Sequence, residues 1–357
     1  KQSLGAKHPD YAESLNNVAL LLHNQRNYGA AEPLYREALE IRKQVLGEKH
    51  QDYARSLNNL ALLFHNQVNY AAAEPLYRQS LEIQMQVLGK QHPDYAMSLH
   101  NLAKLYYEQA NYTAAEPLYR QLLEIVKQVR GEKHPDYADI LNNLALLYVA
   151  QGNFTAAEPH YRQSLDIRKE VLGVNHLDYA SSLNNQANLY SHQANYAAAK
   201  PLYRQALEIE RQVLGDKHPS YATSLNNLAY LYSSQANYVA AESLYRQSLE
   251  IRKEVLGDKH PDYAISLKNL ALLYLYQADF AAAEPLYRQS LEIEKQALGD
   301  KHPSYASSLN DQALLYSAQG NYAAAEPFYR QALEIRKEAL GDKHPDYAQS
   351  LNNLANL

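Results

Sequence analysis

One stretch of sequence decides the fold, and it is clearest at residues 134–167: HPDYADILNNLALLYVAQGNFTAAEPHYRQSLDI. Close copies of it fill the chain of 357 residues. The first histidine of the stretch recurs every 42 residues, at His8, His50, His92, His134, His176, His218, His260, His302 and His344. Such a period indicates a repeat protein, in which each unit buries its apolar face against its neighbours.

Each copy predicts two helices joined by a short turn. The first helix of the first copy is expected from about Pro9 to Gln25, since proline suits the first helical position. Ala12, Leu15, Ala19 and Leu22 follow three- and four-residue spacing and form one apolar stripe. The small alanine at position 19 recurs in every copy, which predicts close approach of two helix backbones.

The second helix of the copy is expected from about Tyr28 to Leu46. Asn27 is a good N-cap residue, and the one copy that lacks asparagine there has Asp279, which caps equally well. Gly47 is the expected terminator. Pro33 removes one backbone hydrogen bond, so a local kink or a late helix start is expected. Val45 is expected on the packed face of this helix.

The predicted fold class is therefore all-α, a right-handed α-solenoid of antiparallel helix pairs. Residues 1–8 match the tail of a preceding repeat. Residues 9–344 form eight tandem 42-residue repeats, numbered here 1 to 8, and residues 345–357 form the first helix of a ninth, truncated repeat. Both ends thus look cut from a longer array.

Composition excludes several classes of function. A net charge of −5 argues against nucleic-acid partners, which usually select a basic stripe. The absence of cysteine fits a reducing, cytoplasmic location. No apolar run approaches the length of a membrane span, so no membrane partner is expected and the chain should be soluble.

The chemistry-bearing residues also argue against catalysis. No phosphate-binding loop, nucleophile elbow or acid pair is found, so the chain is expected to be no enzyme and to need no cofactor. The periodic histidines lack HxxxH or HExxH spacing. Each precedes a helix, so a role at the helix start is expected in place of a metal site. The recurring tyrosines are expected in the core. Gln186 and Gln312 replace an apolar residue and, if buried, should weaken their repeats.

The order Leu141-x2-Leu144-Ala145-x2-Tyr148, followed by Ala157-x3-Tyr161, resembles the tetratricopeptide repeat. More narrowly, LNNLALLY, AAEPLYRQSLEI and LGDKHPDYA resemble the kinesin light chain type of this repeat, over nearly the whole chain. A bacterial repeat protein of this type is an alternative to a true motor subunit. The heptad segment that binds the motor heavy chain is missing, so that partner is expected only if flanking heptads exist.

The resemblance implies that the first helices line a concave groove. Most first helices carry two adjacent asparagines; His100 and Lys268 replace the first of the pair in two copies and Asp311 replaces the second in one. The first of each pair is expected to point into the groove and bind a peptide backbone. The second is expected to bond the neighbouring helix. Arg55, Asn58, His100 and Lys104 would form a basic patch for an acidic side chain or a terminal carboxylate. The full candidate groove set is Arg55, Asn58, His100, Lys104, Asn142, Asn184, Asn226, Lys268 and Asn310.

The predicted function is a non-enzymatic scaffold that binds an extended, acidic peptide or disordered segment of a partner protein, as the cargo-binding repeats of kinesin light chain do. The alternative is a sensor or assembly array within a larger bacterial signalling protein. RNA binding by helical repeats is a third possibility, which the acidic balance disfavours.

Overall fold

A computed structural model describes residues 8–357, and within that part the chain forms helices and no strands. The first helix of each repeat is odd-numbered and the second is even-numbered. The helices are α1 Pro9–Asn24, α2 Tyr28–Leu46, α3 Gln51–Asn66, α4 Tyr70–Val87, α5 Pro93–Glu108, α6 Tyr112–Arg130, α7 Pro135–Ala150, α8 Phe154–Leu172, α9 Leu177–His192, α10 Tyr196–Leu214, α11 Pro219–Ser234, α12 Tyr238–Leu256, α13 Pro261–Tyr276, α14 Phe280–Leu298, α15 Pro303–Ala318, α16 Tyr322–Leu340 and α17 Pro345–Ala355. Residues 1–7, including most of the predicted tail of a preceding repeat, lie outside the described residues.

The chain divides into two compact units, one ending at Glu132 and the other beginning at Lys133. Within each unit, consecutive helices pack against each other as hairpins. First helices of successive repeats also contact each other, as α3 does with α5 in the first unit and α11 with α13 in the second. The expected all-α array of helix pairs is confirmed.

The periodic histidines begin the first helices. His8 has an extended backbone, and its Nδ1 accepts a hydrogen bond from the backbone N–H of Asp10 at 3.2 Å. The other eight histidines cap the following helix in the same way, at 3.1 Å. The expected role at the helix start is therefore confirmed. The ring satisfies one of the four N–H groups that a helix leaves unpaired at its start.

The turn between the two helices also follows the expected chemistry. The side chain of Asn27 accepts from the backbone N–H of Ala30, and Asp279 accepts from Ala282 in the same manner. Helix α1 ends one residue earlier than expected, with Gln25 as its C-cap. Gly47 ends α2 with a φ of 83°, a conformation that favours glycine.

Pro33 does not delay the start of its helix. Helix α2 runs without interruption from Tyr28 to Leu46 with the proline inside it, so the predicted late start is wrong. The proline lies near the helix start, where it removes only one backbone bond. The N-cap and the buried face of the helix outweigh that loss.

The core lies between the helices of each pair and between successive pairs. Ala12, Ala19, Ala31 and Ala38 have no exposed surface, and the Tyr35 ring is buried beside them. The equivalents of Tyr35 are buried in every repeat, which confirms the expectation that these tyrosines are core residues. Val45, in contrast, is exposed, so its placement on the packed face was wrong.

Two glutamines interrupt this apolar core. Gln186 and Gln312 are both buried, and the amide oxygen of each lacks a hydrogen-bond partner. Gln186 donates from Nε2 to the hydroxyl of Tyr190 at 3.2 Å. The equivalent residue in repeat 3 is the buried Leu102, whose side chain leaves no polar group to satisfy.

We expect Gln312→Leu to stabilise the protein. The substitution removes a buried amide whose oxygen is unpaired, which costs about 1–3 kcal/mol. The measurement is chemical denaturation followed by circular dichroism, with the exposed Gln296→Leu on α14 as the control. An unchanged or lower free energy of unfolding for Gln312→Leu would show that the glutamine does not weaken its repeat.

Candidate functional site

The first asparagines lie at the contact between successive first helices. Oδ1 of Asn16 accepts a hydrogen bond from Nδ2 of Asn59 in the next repeat, at 2.8 Å. The same bond joins Asn101 to Asn58 at 3.2 Å, Asn185 to Asn142 at 2.8 Å, and Asn353 to Asn310 at 2.7 Å. In these pairs the first asparagine is buried, and the second bonds the neighbouring helix as expected.

Asn184 and Asn226 are also buried but bond differently. Nδ2 of Asn184 donates to Ser224 Oγ at 2.7 Å and to Glu210 Oε1 at 3.3 Å. Nδ2 of Asn226 donates to Ser266 Oγ at 3.4 Å. The first asparagines therefore connect repeats, and their contact with a ligand stays a prediction.

The residues of the proposed basic patch differ in accessibility. Arg55 is half-buried, and its Nη2 lies 3.1 Å from both Glu13 Oε2 and Asp52 Oδ1. Lys104 is exposed, with its Nζ 3.7 Å from Glu108 Oε1. Resident carboxylates thus balance part of the positive charge, and a ligand carboxylate would have to compete with them.

The other two members of the patch are held by the protein. Asn58 Oδ1 accepts from Ser98 Oγ at 3.2 Å as well as from Asn101. The half-buried His100 packs edge-on against Tyr119, with ring centroids 6.1 Å apart. Both side chains are therefore fixed by neighbouring helices.

Lys268 takes the place of a first asparagine, and its charge is balanced internally. Its Nζ lies 2.8 Å from Oε1 of Glu294, which is almost fully buried. Ser308 Oγ donates to the other carboxylate oxygen at 2.6 Å. In repeat 8, Asp311 replaces the second asparagine. Lys268, which departs from the repeat pattern, therefore occurs together with two carboxylates that also depart from it, those of Glu294 and Asp311. Burial raises the pKa of Asp311 to about 6, although Lys268 opposes the shift.

A second buried network, missed by sequence reasoning, links the second helix of one repeat to the first helix of the next. Nη1 of Arg42 donates to Ser56 Oγ at 2.7 Å and to the Asp52 carbonyl at 3.3 Å, while Nη2 pairs with Glu13. The equivalent arginines make the same two Nη1 bonds: Arg168, Arg252 and Arg336. The signal was an arginine directly after an isoleucine that recurs at multiples of the 42-residue period, in repeats 1, 4, 6 and 8.

Glu210 occupies the position of these arginines in repeat 5. Its Oε1 accepts from Ser224 at 2.9 Å and from Asn184, while its Oε2 is buried without a partner. Burial raises the pKa of Glu210 to about 7, against opposition from the two hydrogen bonds. The serine of the following first helix accepts from the arginine in repeat 1, as Ser56 does, but donates to the carboxylate in repeat 5, as Ser224 does. Because a hydroxyl can do either, arginine and glutamate both fit at this position.

The accessible part of the first helices carries residues that vary between repeats. The exposed apolar and aromatic side chains at these variable positions include Leu20, Met97, Tyr230, Ile265, Tyr276 and Leu314. Burial raises the pKa of Tyr276, and Tyr230 and Tyr238 act in the same direction. A patch of such side chains on one surface is a candidate interaction site.

Neither a metal site nor a membrane span is found in the described residues. No group of three or more His, Asp or Glu side chains within residues 8–357 could hold a metal ion. None of the helices α1 to α17 is both long and apolar enough to cross a bilayer.

The chain belongs to the tetratricopeptide repeat family. The sequence profile of that family matches nine overlapping segments, residues 1–44, 10–86, 54–128, 109–170, 136–212, 178–254, 235–296, 284–338 and 305–357. This fold is in general a non-catalytic scaffold for protein interaction. No protein with a curated description matches the chain.

Similar solved structures include repeat proteins of the kinesin light chain type. BtubC (BKLC) from P. vanneervenii is 22% identical with a TM-score of 0.49, over 67% of this chain and 93% of its own. A putative kinesin light chain from Podosopora anserina is 26% identical with a TM-score of 0.47, over 57% and 97%. A Rap protein complexed with Competence and Sporulation Factor is 15% identical with a TM-score of 0.57, over 98% of both chains.

We expect Glu210→Gln to stabilise the protein at high pH only. The folded pKa of this carboxyl is raised from 4.5 to about 7. Its contribution to stability is therefore complete below pH 4.5 and is lost as the pH rises through about 7. At pH 8 the buried charge costs up to about 3 kcal/mol, which glutamine avoids. Chemical denaturation at pH 8 and pH 4.5 measures the difference. A gain that does not shrink at low pH contradicts this account.

We expect Lys268→Asn to destabilise the protein by a few kcal/mol at pH 8. The substitution leaves Glu294 as a buried carboxylate without its cation, and such losses are about 3–5 kcal/mol. The control is Lys268→Asn with Glu294→Arg, which recreates the asparagine and arginine of repeat 6. That double variant should recover stability, as measured by chemical denaturation. Equal losses in the single and double variants would contradict an ion-pair role for Lys268.

Proposed function

We propose that this scaffold holds an extended segment of a partner protein along the accessible face of its first helices. The observation that carries the proposal is the set of exposed side chains there, above all Tyr230 and Tyr276. The buried stripe of each helix hardly changes between repeats, whereas these positions change in size and charge. A surface that selects one partner needs such differences along its length.

The two tyrosines would supply the main contact in the second unit. Tyrosine offers a large apolar ring with a polar tip and few rotatable bonds, and it is enriched among the residues that dominate binding energy. Tyr230 lies on α11 and Tyr276 on α13, which contact each other. A single apolar or aromatic partner residue could therefore pack between rings from two repeats.

The cations of the first unit would add charge selectivity. The half-buried Arg55 and the exposed Lys104 could bind an acidic residue of the partner, although each already lies near a carboxylate. In this proposal the remaining candidates, His100, Lys268, Asn58, Asn142, Asn184, Asn226 and Asn310, hold the helices that present the exposed residues. A ligand role for them requires a partner that reaches between the helices.

The family supports the general part of the proposal. The Rap protein of similar fold was solved with Competence and Sporulation Factor bound. Tetratricopeptide repeat proteins are typically cytoplasmic, and a cytoplasmic location is part of the proposal.

We expect peptides selected from a random phage-displayed 12-residue library on the full chain to need both tyrosines. The variant Tyr230→Ala with Tyr276→Ala should bind the selected peptides about 10-fold more weakly or worse, as measured by calorimetric titration. Circular dichroism should be unchanged, since both side chains are exposed.

The matched control is Tyr322→Ala, which removes an equally exposed tyrosine from a second helix, α16. It should leave peptide affinity unchanged. Selection of no peptide, or equal affinity for the double variant, would contradict binding along the first helices.

A further inference from the structure

One surface link recurs on the second helices. An arginine pairs with a glutamate four residues before it, at 2.6–2.9 Å, in seven of the eight repeats. The pairs are Arg36–Glu32, Arg78–Glu74, Arg120–Glu116, Arg162–Glu158, Arg246–Glu242, Arg288–Glu284 and Arg330–Glu326. Each arginine therefore has a carboxylate beside it.

A tyrosine of the next repeat completes this link. The hydroxyl of Tyr274 donates to Glu242 Oε1 at 2.7 Å and accepts from Nη2 of Arg246 at 2.6 Å. Tyr106 makes the same two bonds, to Glu74 and from Arg78. The charge is balanced in both places, and the hydroxyl proton has an acceptor.

Repeat 5 breaks the pattern, because Lys200 stands where the glutamate would be. Nη2 of Arg204 donates to the hydroxyl oxygen of Tyr232 at 3.2 Å, and Nζ of Lys200 lies 4.8 Å from the centroid of the same ring. Within the described part of the chain, no carboxylate pairs with either cation. The Tyr232 hydroxyl accepts a bond, but its own proton has no acceptor among residues 8–357.

The pKa of the tyrosine hydroxyl depends on the electrostatic potential at each of these positions. Partial burial tends to raise the pKa of Tyr232, but the adjacent cations of Lys200 and Arg204 outweigh it and lower the pKa. At Tyr274, burial and the bond to Glu242 together raise the pKa. The environment of Tyr232 therefore favours negative charge, whereas that of Tyr274 opposes it.

We propose that Lys200, Arg204 and Tyr232 form a binding site for a phosphate group. An ammonium, a guanidinium and a hydroxyl offer three kinds of donor around one surface point, with a charge of +2. A phosphate monoester presents three acceptor oxygens and a charge of about −1.5 to −2 at pH 7, which matches this set better than a carboxylate does. The site lies on α10 and α11, and it does not depend on Tyr230 or Tyr276.

The chain supplies both a loss variant and a gain variant. Lys200→Glu restores the glutamate found in the other repeats, so the protein should fold normally while the site is filled by its own carboxylate. Glu242→Lys copies the arrangement of repeat 5 beside Arg246 and Tyr274. It should create a second site where none exists.

The experiment is an NMR titration of the full chain, labelled at the tyrosine Cζ and arginine Nε, with inorganic phosphate at low ionic strength. We expect saturable shifts of Tyr232 and Arg204 with a Kd on the order of 1 mM. In Lys200→Glu the affinity should fall by about 10-fold or more, and added salt should weaken it in the wild type. In Glu242→Lys, Tyr274 and Arg246 should shift as well.

A second arm separates the possible sources of the phosphate. Acetyl-Gly-phosphoserine-Gly amide binding at least as tightly as inorganic phosphate indicates a phosphorylated protein segment, and tighter binding of inorganic phosphate indicates the free ion. Either result supports the site. The proposal is overturned if Lys200→Glu binds phosphate as the wild type does, if Glu242→Lys gains no second site, or if acetate binds as tightly as phosphate.

Discussion

The distance between neighbouring helices is the constraint on which the rest of the structure depends. Alanines such as Ala12, Ala19 and Ala31 have no exposed surface, because the neighbouring helix covers them completely. A larger side chain at such a point would force the helices apart and cost about 1–3 kcal/mol through strain alone. The adjacent tyrosine and leucine side chains would then lose contact along the whole hairpin. Small residues therefore set the geometry, and large ones supply most of the buried apolar area.

Hydrogen bonds between repeats make this packing specific. A buried hydrogen bond contributes only about 1 kcal/mol net, but leaving its partner unpaired costs about 1–3 kcal/mol. The bonds from Asn59 to Asn16 and from Arg42 to Ser56 exist only when successive repeats stack at the observed offset. They therefore penalise other arrangements more than they stabilise this one. The unpaired oxygens of Gln186 and Gln312 mark the places where this matching is incomplete.

Local chemistry made most of the fold predictable from the sequence. The helix starts at the histidines, the asparagine caps and the glycine terminators depend on residues close together in the chain, so one repeat contains the information. The burial of the first asparagine against the next repeat was not predictable in this way. Adjacent helix residues such as Asn58 and Asn59 point about 100° apart, and the next hairpin decides which of them is covered. The network of Arg42 was missed for the same reason, because the acceptors of its Nη1 belong to repeat 2.

Near-identical repeats carry a risk that ordinary domains avoid. A hairpin that slips by one repeat, or exchanges with another copy, meets a surface almost like its own, so apolar packing alone gives little penalty against misregistered stacking. The trio of Lys268, Glu294 and Asp311 removes that degeneracy at one junction. A hairpin that slipped by one repeat would place the buried pair of Lys268 and Glu294 opposite an asparagine in place of Asp311. It would also leave Asp311 without Lys268 nearby. These three residues thus act as a register mark that identifies which repeat must follow which.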